Sequence, residues 1–266
     1  MPRKLLSRLF QYRFKGEGDL GGHSFGNLFL AALAGITGDF SEAVRLSSEI
    51  LASKGHIYPA SVSDVRLCAR LTDGAEVAGE TSVTKVGPKI EKLFLDPLDP
   101  LPHPEALKAI GEADLITLGP GSLFTSLIPP LLVPELLEAV SSSDAAKVFI
   151  CNLMTQPGET DHLTAKAHLD VLSGYFPNLR FGAIVVNNAP ISAQQAEKYR
   201  REGAEQIGIH GSIQEAKVGD TELFLADLLA EGDLVRHDPL RLAEAVLALG
   251  ERYRSPNTEM TSPKAY

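Results

Sequence analysis

The second half of the chain alternates short apolar runs with amphipathic segments. Apolar runs at 114–118, 147–152 and 181–187 are each followed by a segment with apolar positions at helical spacing. Strands that are apolar on both faces and alternate with helices are typical of a parallel sheet covered on each side. We expect the three runs to be neighbouring parallel strands with their carboxyl ends at one edge, because right-handed crossovers place successive strands side by side.

The first half of the chain has a different pattern of apolar residues. Helical spacing predicts three helices, over 3–13, from Ser24 to Ile36, and from Asp39 or Ser41 to about residue 53. The second of these helices is apolar around most of its circumference, so we expect it to be buried.

The segment 56–96 has a third pattern of apolar and polar residues. Its apolar residues alternate with period two on either side of a turn signal at 72–74, Thr-Asp-Gly. Such a pattern predicts an antiparallel hairpin region, which we interpret as an insertion or a sub-sheet outside the parallel sheet.

Composition excludes several classes of protein. The 266 residues are 44% apolar and 22% charged, enough for a packed core and too apolar for a disordered chain. The 25 basic and 34 acidic residues give a formal net charge of −9, so nucleic acid is not an expected partner. We also expect no signal peptide and no membrane span, because no segment approaches about 20 apolar residues.

Cysteine and histidine usage gives no catalytic or metal signature. Cys68 and Cys151 lie far apart in apolar runs, which indicates neither a disulfide framework nor a zinc site and favours a reducing cytoplasm. The seven histidines form no HxH or HExxH pattern, and the chain has no GxSxG or Walker A sequence. We therefore predict no metal site, no catalytic nucleophile and no resident cofactor.

Candidate binding residues follow the predicted strands, because open α/β sheets bind ligands beyond the carboxyl ends of their strands. Gly119, Gly121 and Ser122 come directly after the first strand. Glycines let backbone N–H groups approach an anion, so this segment is either a phosphate loop or simply a tight turn.

The second strand ends in a long polar loop that contains Asn152, Thr155 and Gln156. Their side chains both donate and accept hydrogen bonds, which suits recognition of a polar small molecule. Thr160 or Asp161 in the same loop is expected to cap the next helix.

Two further segments allow two interpretations each. Asn187, at the end of the third strand, can read a base edge or a ribose, or can form an Asx turn before Pro190. The loop with Gly22, His23, Ser24 and Asn27 can present N–H groups to a phosphate, or can let the following helix pack closely.

Several long motifs, taken in order, point to a known family. They are FQYRF, LGGHSFGN, LGPGSLFTSLIP, CNLMTQPGETD, KYRREGA and RHDP, and they extend from residue 9 to about residue 238. Together they resemble the YvcK-type gluconeogenesis factor family of the CofD-like superfamily.

The resemblance implies a three-layer α/β/α Rossmann-like fold. It implies a single CofD-like domain over 1–254, in which the antiparallel pattern at 56–96 marks an insertion. The polar composition of 255–266 predicts a flexible tail. The resemblance also implies a cytoplasmic bacterial regulatory protein, without assigned turnover, that binds a nucleotide sugar of the UDP-N-acetylglucosamine type and affects cell shape and envelope synthesis.

The resemblance also assigns roles to residues. Gly119, Gly121 and Ser122 match the family's phosphate-side loop, and Asn152, Thr155 and Gln156 match its long polar loop. Tyr199 and Arg236 match positions associated with holding the nucleotide sugar, although Arg236 would alternatively form a surface ion pair with Asp233 or Asp238.

One departure from the family pattern affects these expectations. Family members begin with a strand that runs into a GGGTG-like loop and then a VADDGGS-like segment, and this chain begins downstream of both. We expect a fragment, a sheet edge completed by another chain as in a homo-oligomer, or a scaffold that has lost its ligand. The alternative activity within the superfamily is that of a 2-phospho-L-lactate transferase, whose metal-binding aspartates lie in that same N-terminal segment.

Overall fold

The computed structural model divides the chain into two compact units. The first unit contains Met1–Ser63 and Leu101–Ala106, and the second contains Asp64–Pro100 and Leu107–Tyr266. The structure describes residues 2–16, 18, 20–51, 54–207 and 217–253. The predicted tail at 255–266 lies outside the described residues, and the prediction of a single domain over 1–254 stays a prediction.

Three helices build most of the first unit: α1 (Pro2–Phe10), α2 (Phe25–Thr37) and α3 (Phe40–Ile50). The Ser24 hydroxyl accepts a hydrogen bond from the Asn27 N–H at 3.1 Å, and the Asp39 carboxylate caps α3 in the same way. Both predicted caps are confirmed.

The expected burial of α2 is wrong. None of its described residues is buried, and Ile36 is 81% exposed. Within the unit α2 packs against α1 and α3, with the Phe10 ring in edge contact with Phe25 and Phe29. Two neighbouring helices cover only part of a helix circumference, so the remaining apolar surface of α2 stays open.

The second unit begins with a small antiparallel sheet. Its elements are β1 (Arg66–Leu71), β2 (Glu76–Ala78), α4 (Glu80–Val86), a 3-10 turn (Gly87–Lys89) and β3 (Ile90–Asp96). The strand order is β2-β1-β3, and both pairings are antiparallel. The predicted antiparallel strands are confirmed, and all three lie between residues 66 and 96. That the segment 56–96 is an insertion stays a prediction.

The larger sheet has five strands, of which β4, β5, β6 and β8 are parallel. The remaining elements of the chain are α5 (Pro104–Gly111), β4 (Leu115–Leu118), a π-helical turn (Leu123–Leu127), α6 (Ile128–Leu131), α7 (Pro134–Ser142), β5 (Ala146–Ile150), α8 (Ala165–Tyr175), β6 (Ala183–Asn187), α9 (Ala193–Arg201), β7 (Lys217–Val218), β8 (Thr221–Ala226) and α10 (Pro239–Tyr253). The strand order is β4-β5-β6-β8-β7, with β7 antiparallel to β8. The prediction that β4, β5 and β6 are parallel neighbours is confirmed.

Helices cover this sheet on both faces. Along β5 and β6 side chains alternate between the faces, and every residue of β6 is buried. On one face Val148, Ile150 and Val185 pack against Val246 and Leu249 of α10. The result is the three-layer α/β architecture that the resemblance implied.

Membrane-spanning potential is limited to one bent pair of helices. In the described part of the chain no single helix is long and apolar enough to cross a bilayer. The segments Leu123–Leu131 and Pro134–Ser142 meet the criteria of length and composition only as a pair, and they are bent by 83° where they join.

Candidate functional site

The glycine loop after β4 is fixed by the first polar residue after β5. The Gly121 N–H donates to Asn152 Oδ1 at 3.0 Å, and Asn152 Nδ2 donates to the Gly121 carbonyl at 2.8 Å. Gly119 has φ +89°, and a Cβ atom there would lie 2.6 Å from the Ile150 carbonyl oxygen. The loop therefore needs glycine at 119 and the Asn152 amide for its shape.

Ser122 is the polar residue of this loop whose donor groups make no hydrogen bond within the described chain. It is half-buried, and neither its N–H nor its hydroxyl has a hydrogen-bond partner among the described residues. The loop thus presents two donors from one residue at the carboxyl edge of the sheet, which fits an anionic oxygen.

The polar loop after β5 is tied to a later segment by Thr155. The Thr155 N–H donates to the Glu205 carbonyl at 2.8 Å, and the Glu205 N–H donates to the Thr155 hydroxyl at 2.9 Å. Thr155 is buried, so its role in the structure is to join two loops. Gln156 is half-buried, and its side-chain oxygen has no hydrogen-bond partner among the described residues.

The next helix is not capped where the sequence suggested. Its N-cap is Thr164, whose hydroxyl accepts from the Ala167 N–H. The Thr160 hydroxyl instead accepts from the Gln156 N–H, and the Asp161 carboxylate accepts from the Gly158 N–H. Both side chains close turns inside the loop, which delays the start of α8.

Glu159 is a site residue that the sequence analysis missed. Its Oε1 accepts from the Phe124 N–H at 2.9 Å, and the Thr125 N–H also donates to this carboxyl group. The side chain is buried, and burial raises the pKa of Glu159 above its ordinary value. The available signal was an acidic residue inside the motif CNLMTQPGETD.

Asn187 adopts the Asx-turn arrangement and also anchors the loop after β8. Its Nδ2 donates to the Ala189 carbonyl at 2.7 Å, and its Oδ1 accepts from the Ala189 N–H at 3.4 Å and the Leu228 N–H at 3.0 Å. Asn187 is 3% exposed. The structure therefore places this amide between strand ends, where it fixes the loop at 228–238.

The loop at 228–238 turns back on itself and carries Arg236. The Ala230 N–H donates to the Arg236 carbonyl at 2.9 Å, and the Tyr199 hydroxyl of α9 accepts from the Val235 N–H at 3.1 Å. Tyr199 is half-buried, and Arg236 is exposed. The two residues are brought together because the tyrosine holds the backbone next to the arginine.

The surface ion pair expected as the alternative for Arg236 does not form. In the part of the chain that the structure describes, no carboxylate lies within ion-pair distance of its guanidinium. The Asp238 carboxylate instead accepts from the N–H groups of Leu240 and Arg241 at the start of α10. Arg236 is thus an available cation on a loop of defined shape.

Removing the Tyr199 hydroxyl tests this arrangement. In Tyr199→Phe the Val235 N–H loses its acceptor, and we expect a loss of about 0.5–1.5 kcal/mol in unfolding free energy, measured by urea titration. We also expect faster hydrogen exchange at Val235. Tyr175→Phe is the matched control, because the Tyr175 hydroxyl accepts from the Leu93 N–H at 2.9 Å and its loss should leave exchange at Val235 unchanged. Unaltered exchange at Val235 in Tyr199→Phe would contradict the arrangement.

His237 and Cys151 meet at the end of β5. The His237 ring is hydrogen-bonded to the Cys151 backbone, and its Nε2 atom is buried with no partner in the part of the chain that the structure describes. Burial lowers the pKa of His237 and raises the pKa of Cys151 to about 12. The thiol is therefore protonated and unreactive at neutral pH. The motif RHDP was the available signal for His237.

The second candidate phosphate loop lies in the first unit and makes extensive internal hydrogen bonds. The Gly22 N–H donates to the Phe14 carbonyl, and the His23 N–H donates to the Leu20 carbonyl. A Cβ atom on Gly26 would lie 3.0 Å from the Phe10 carbonyl oxygen. These contacts favour the close-packing interpretation, although phosphate binding by Gly22, His23, Ser24 and Asn27 stays a prediction.

Neither of the two clefts described contains a predicted site residue. A cleft of about 480 Å³ in the first unit is lined by the His56, Tyr58 and His103 rings. A cleft of about 280 Å³ in the second unit lies between Gln195 and Lys198 of α9 and the loop at 228–238. Because its lining omits Arg236, we place the candidate site on the loops at the sheet edge.

The described residues offer no metal centre. No three His, Cys, Asp or Glu side chains within 2–16, 18, 20–51, 54–207 and 217–253 are placed to hold an ion together. The chemistry available at the sheet edge is thus hydrogen bonding by Ser122 and attraction of an anion by Arg236.

The fold and this edge define an α/β protein whose glycine-rich and polar loops lie at the carboxyl ends of parallel strands, where open sheets of this type bind nucleotide-like ligands. The chain belongs to the CofD family. The family model described as 2-phospho-L-lactate transferase CofD matches residues 1–229.

Similar proteins from several bacteria show to which branch of the family the chain belongs. The gluconeogenesis factor of Bacillus subtilis is 41% identical over 246 residues, which cover 92% of this chain and 77% of that protein. The gluconeogenesis factor of Halalkalibacterium halodurans is 41% identical over 244 residues, with 91% and 75% covered. The chain spans only 54% of the length of a Nostoc relative that is 43% identical. The chain is thus of the gluconeogenesis factor type, as its motifs indicated.

A solved structure supports the fold. The crystal structure of a UPF0052 family member from Bacillus halodurans superposes with a TM-score of 0.81 at 42% identity, and the match covers 91% of this chain and 77% of that chain. At this identity and TM-score the two proteins share one fold.

Proposed function

We propose that the protein is a regulatory gluconeogenesis factor that binds a nucleotide sugar of the UDP-N-acetylglucosamine type at the carboxyl edge of its parallel sheet. In this proposal the bound nucleotide sugar signals the supply of envelope precursors and couples carbon metabolism to cell shape. The relatives named gluconeogenesis factor support the regulatory part of the proposal.

The observation that carries the binding proposal is the guanidinium of Arg236, which has no ion-pair partner among the described residues and lies on an anchored loop. Such an arginine, on a loop held by backbone and side-chain hydrogen bonds, suits a diphosphate that accepts two parallel N–H bonds. The Ser122 N–H and hydroxyl offer further donors for phosphate oxygens.

Asn152, Thr155 and Asn187 have a different role in the proposal. Their side chains hold the glycine loop, the segment at 205 and the loop at 228–238. Preformed loops reduce the entropy that is lost when a ligand binds. We therefore propose that these residues stabilise the site, and that Gln156, whose side-chain oxygen is unpartnered, contributes an acceptor to it.

Isothermal calorimetry with UDP-N-acetylglucosamine tests the proposal. We expect saturable binding that weakens when UDP is replaced by uridine, because the diphosphate is the part that Arg236 and Ser122 would bind. A thermal-shift series should show stabilisation of about 2.7 kcal/mol at one hundred times the dissociation constant. Absence of heat and of a thermal shift with UDP-N-acetylglucosamine would reject the proposal.

The alternative is a transferase activity of the 2-phospho-L-lactate type. It is favoured by the family model, whose description names that enzyme and which matches residues 1–229. The same thermal-shift series distinguishes the two functions, because a deazaflavin alcohol or GDP should stabilise a transferase and UDP-N-acetylglucosamine should not. Stabilisation by the deazaflavin alcohol would replace our proposal by the alternative.

We also propose that the protein self-associates along β4. This strand is at the edge of the five-stranded sheet, and among the described residues only β5 pairs with it. Exposed edges recruit strands from other chains. Light scattering at micromolar concentration should show a dimer or larger species, and Thr117→Lys, at the exposed position of β4, should shift it to a monomer. Thr84→Lys on exposed α4 is the control, and a monomeric wild-type protein would contradict the proposal.

A further inference from the structure

Glu159 is the buried carboxyl group closest in sequence to the end of β5, and it reaches the helix that follows the glycine loop. Its Oε1 lies 2.9 Å from the Phe124 nitrogen, and its Oε2 is buried without any partner among the described residues. Glu159 is 4% exposed. A buried carboxyl group costs desolvation free energy, so its hydrogen bonds to backbone N–H groups are what compensates for its position.

The glycine loop is consequently held on both sides by one segment. Asn152 bonds both backbone groups of Gly121, and Glu159 bonds the N–H groups of Phe124 and Thr125. Ser122, the residue with free donors, lies between the two attachment points. The direction of its N–H is set by these neighbours, because the backbone between 121 and 124 has few dihedral angles left to vary.

The segment that carries Glu159 is in contact with the turn that follows α4. A Cβ atom on Gly87 would lie 1.4 Å from the Gly158 carbonyl oxygen, so the turn after α4 is in direct backbone contact with this segment. The negative charge of Glu80 of α4 also acts on Glu159 and disfavours the ionised carboxylate. The turn after α4 thus packs against the segment that carries Glu159, and Glu159 holds the backbone that follows the glycine loop.

We infer that Glu159 is a positioning residue that sets the Ser122 donors of the glycine loop toward an anionic ligand, without contacting that ligand itself. Its effect on affinity rests on the function proposed above. Its effect on the loop is independent of any ligand.

The carboxyl group should be replaceable by an amide and not by a hydrocarbon. In Glu159→Gln the side-chain oxygen can still accept from Phe124 and Thr125, and the amide group resembles a protonated acid in size and charge. In Glu159→Leu the two N–H groups lose their acceptor. A residue needed only for packing volume would show the opposite order, because leucine fills the space at least as well.

Hydrogen exchange of the free protein, measured by NMR at single amides, tests the inference without a ligand. We expect the Phe124 and Thr125 amides of the wild-type protein to be protected. Their exchange should accelerate about ten- to a hundredfold in Glu159→Leu and stay near the wild-type rate in Glu159→Gln. Glu205→Leu, at an exposed side chain of the adjoining loop, is the control and should leave these amides unchanged.

The wild-type measurement keeps the test decisive if Glu159→Leu does not fold. Unprotected amides at Phe124 and Thr125 in the wild-type protein would overturn the inference, and so would equal exchange rates in the glutamine and leucine variants. Calorimetry tests the effect on binding. Glu159→Leu should bind UDP-N-acetylglucosamine about tenfold more weakly than the wild-type protein does, and its affinity for uridine should be unchanged. If the wild-type protein binds neither UDP-N-acetylglucosamine nor uridine, the proposed function is rejected. The hydrogen-exchange rates still test the role of Glu159 in that case.

Discussion

Gly119→Ala should lower the unfolding free energy of the second unit by at least about 2 kcal/mol, because a non-glycine residue at φ +89° is strained by about 1–3 kcal/mol and its Cβ would meet the Ile150 carbonyl oxygen at 2.6 Å. The Ile150 carbonyl belongs to a central strand and has little freedom to move. Urea unfolding followed by circular dichroism measures the change.

Gly174→Ala is the matched control for this substitution. Gly174 lies in α8, and an added Cβ would have no heavy atom within 4 Å. Alanine there should stabilise the protein by up to about 1 kcal/mol, because it has a higher helix propensity. Equal unfolding midpoints for Gly119→Ala and the wild-type protein would show that the loop is not built as described.

Arg236→Ala should weaken the binding of UDP-N-acetylglucosamine about ten- to a hundredfold, because it removes charge-assisted hydrogen bonds worth about 1.5–3 kcal/mol. Stability should change little, since Arg236 is exposed and has no ion-pair partner among the described residues. Arg236→Lys should recover part of the affinity, because lysine keeps the charge and loses the bidentate geometry. Calorimetry on the three proteins provides the comparison.

Arg201→Ala is the control for a lost surface charge. Arg201 lies at the end of α9 and pairs with Glu197 at 2.9 Å, with both side chains exposed. Exposed pairs contribute about 0–1 kcal/mol, and this one is not part of the proposed site. If Arg236→Ala and Arg201→Ala bind the nucleotide sugar equally well, Arg236 has no role in binding.

The polar residues at the strand ends therefore fall into two groups with different expected phenotypes. Asn152, Thr155 and Asn187 make hydrogen bonds that shape loops, so their substitution should reduce stability and affinity together. The Ser122 hydroxyl and the Arg236 guanidinium have no hydrogen-bond or ion-pair partner among the described residues, so substitution of these side chains should reduce affinity alone. Measuring both quantities for each variant separates the groups.

The sequence by itself determined the elements that depend on local pattern. The apolar runs at 114–118, 147–152 and 181–187 became β4, β5 and β6 in the expected order, because strands buried on both faces require apolar residues at consecutive positions. The caps at Ser24 and Asp39 were also readable, since capping needs only a side-chain oxygen three residues before an N–H.

Only the tertiary structure decided the outcomes that depend on neighbours distant in sequence. The pairing of β8 with β6 joins residues about forty positions apart, and the short run at 221–226 carried no signal of its own. The exposure of α2 follows from how few elements cover it. The hydrogen-bonding state of Glu159, Tyr199 and Arg236 depends on which groups the fold brings within hydrogen-bond distance, and no spacing in the sequence encodes that distance.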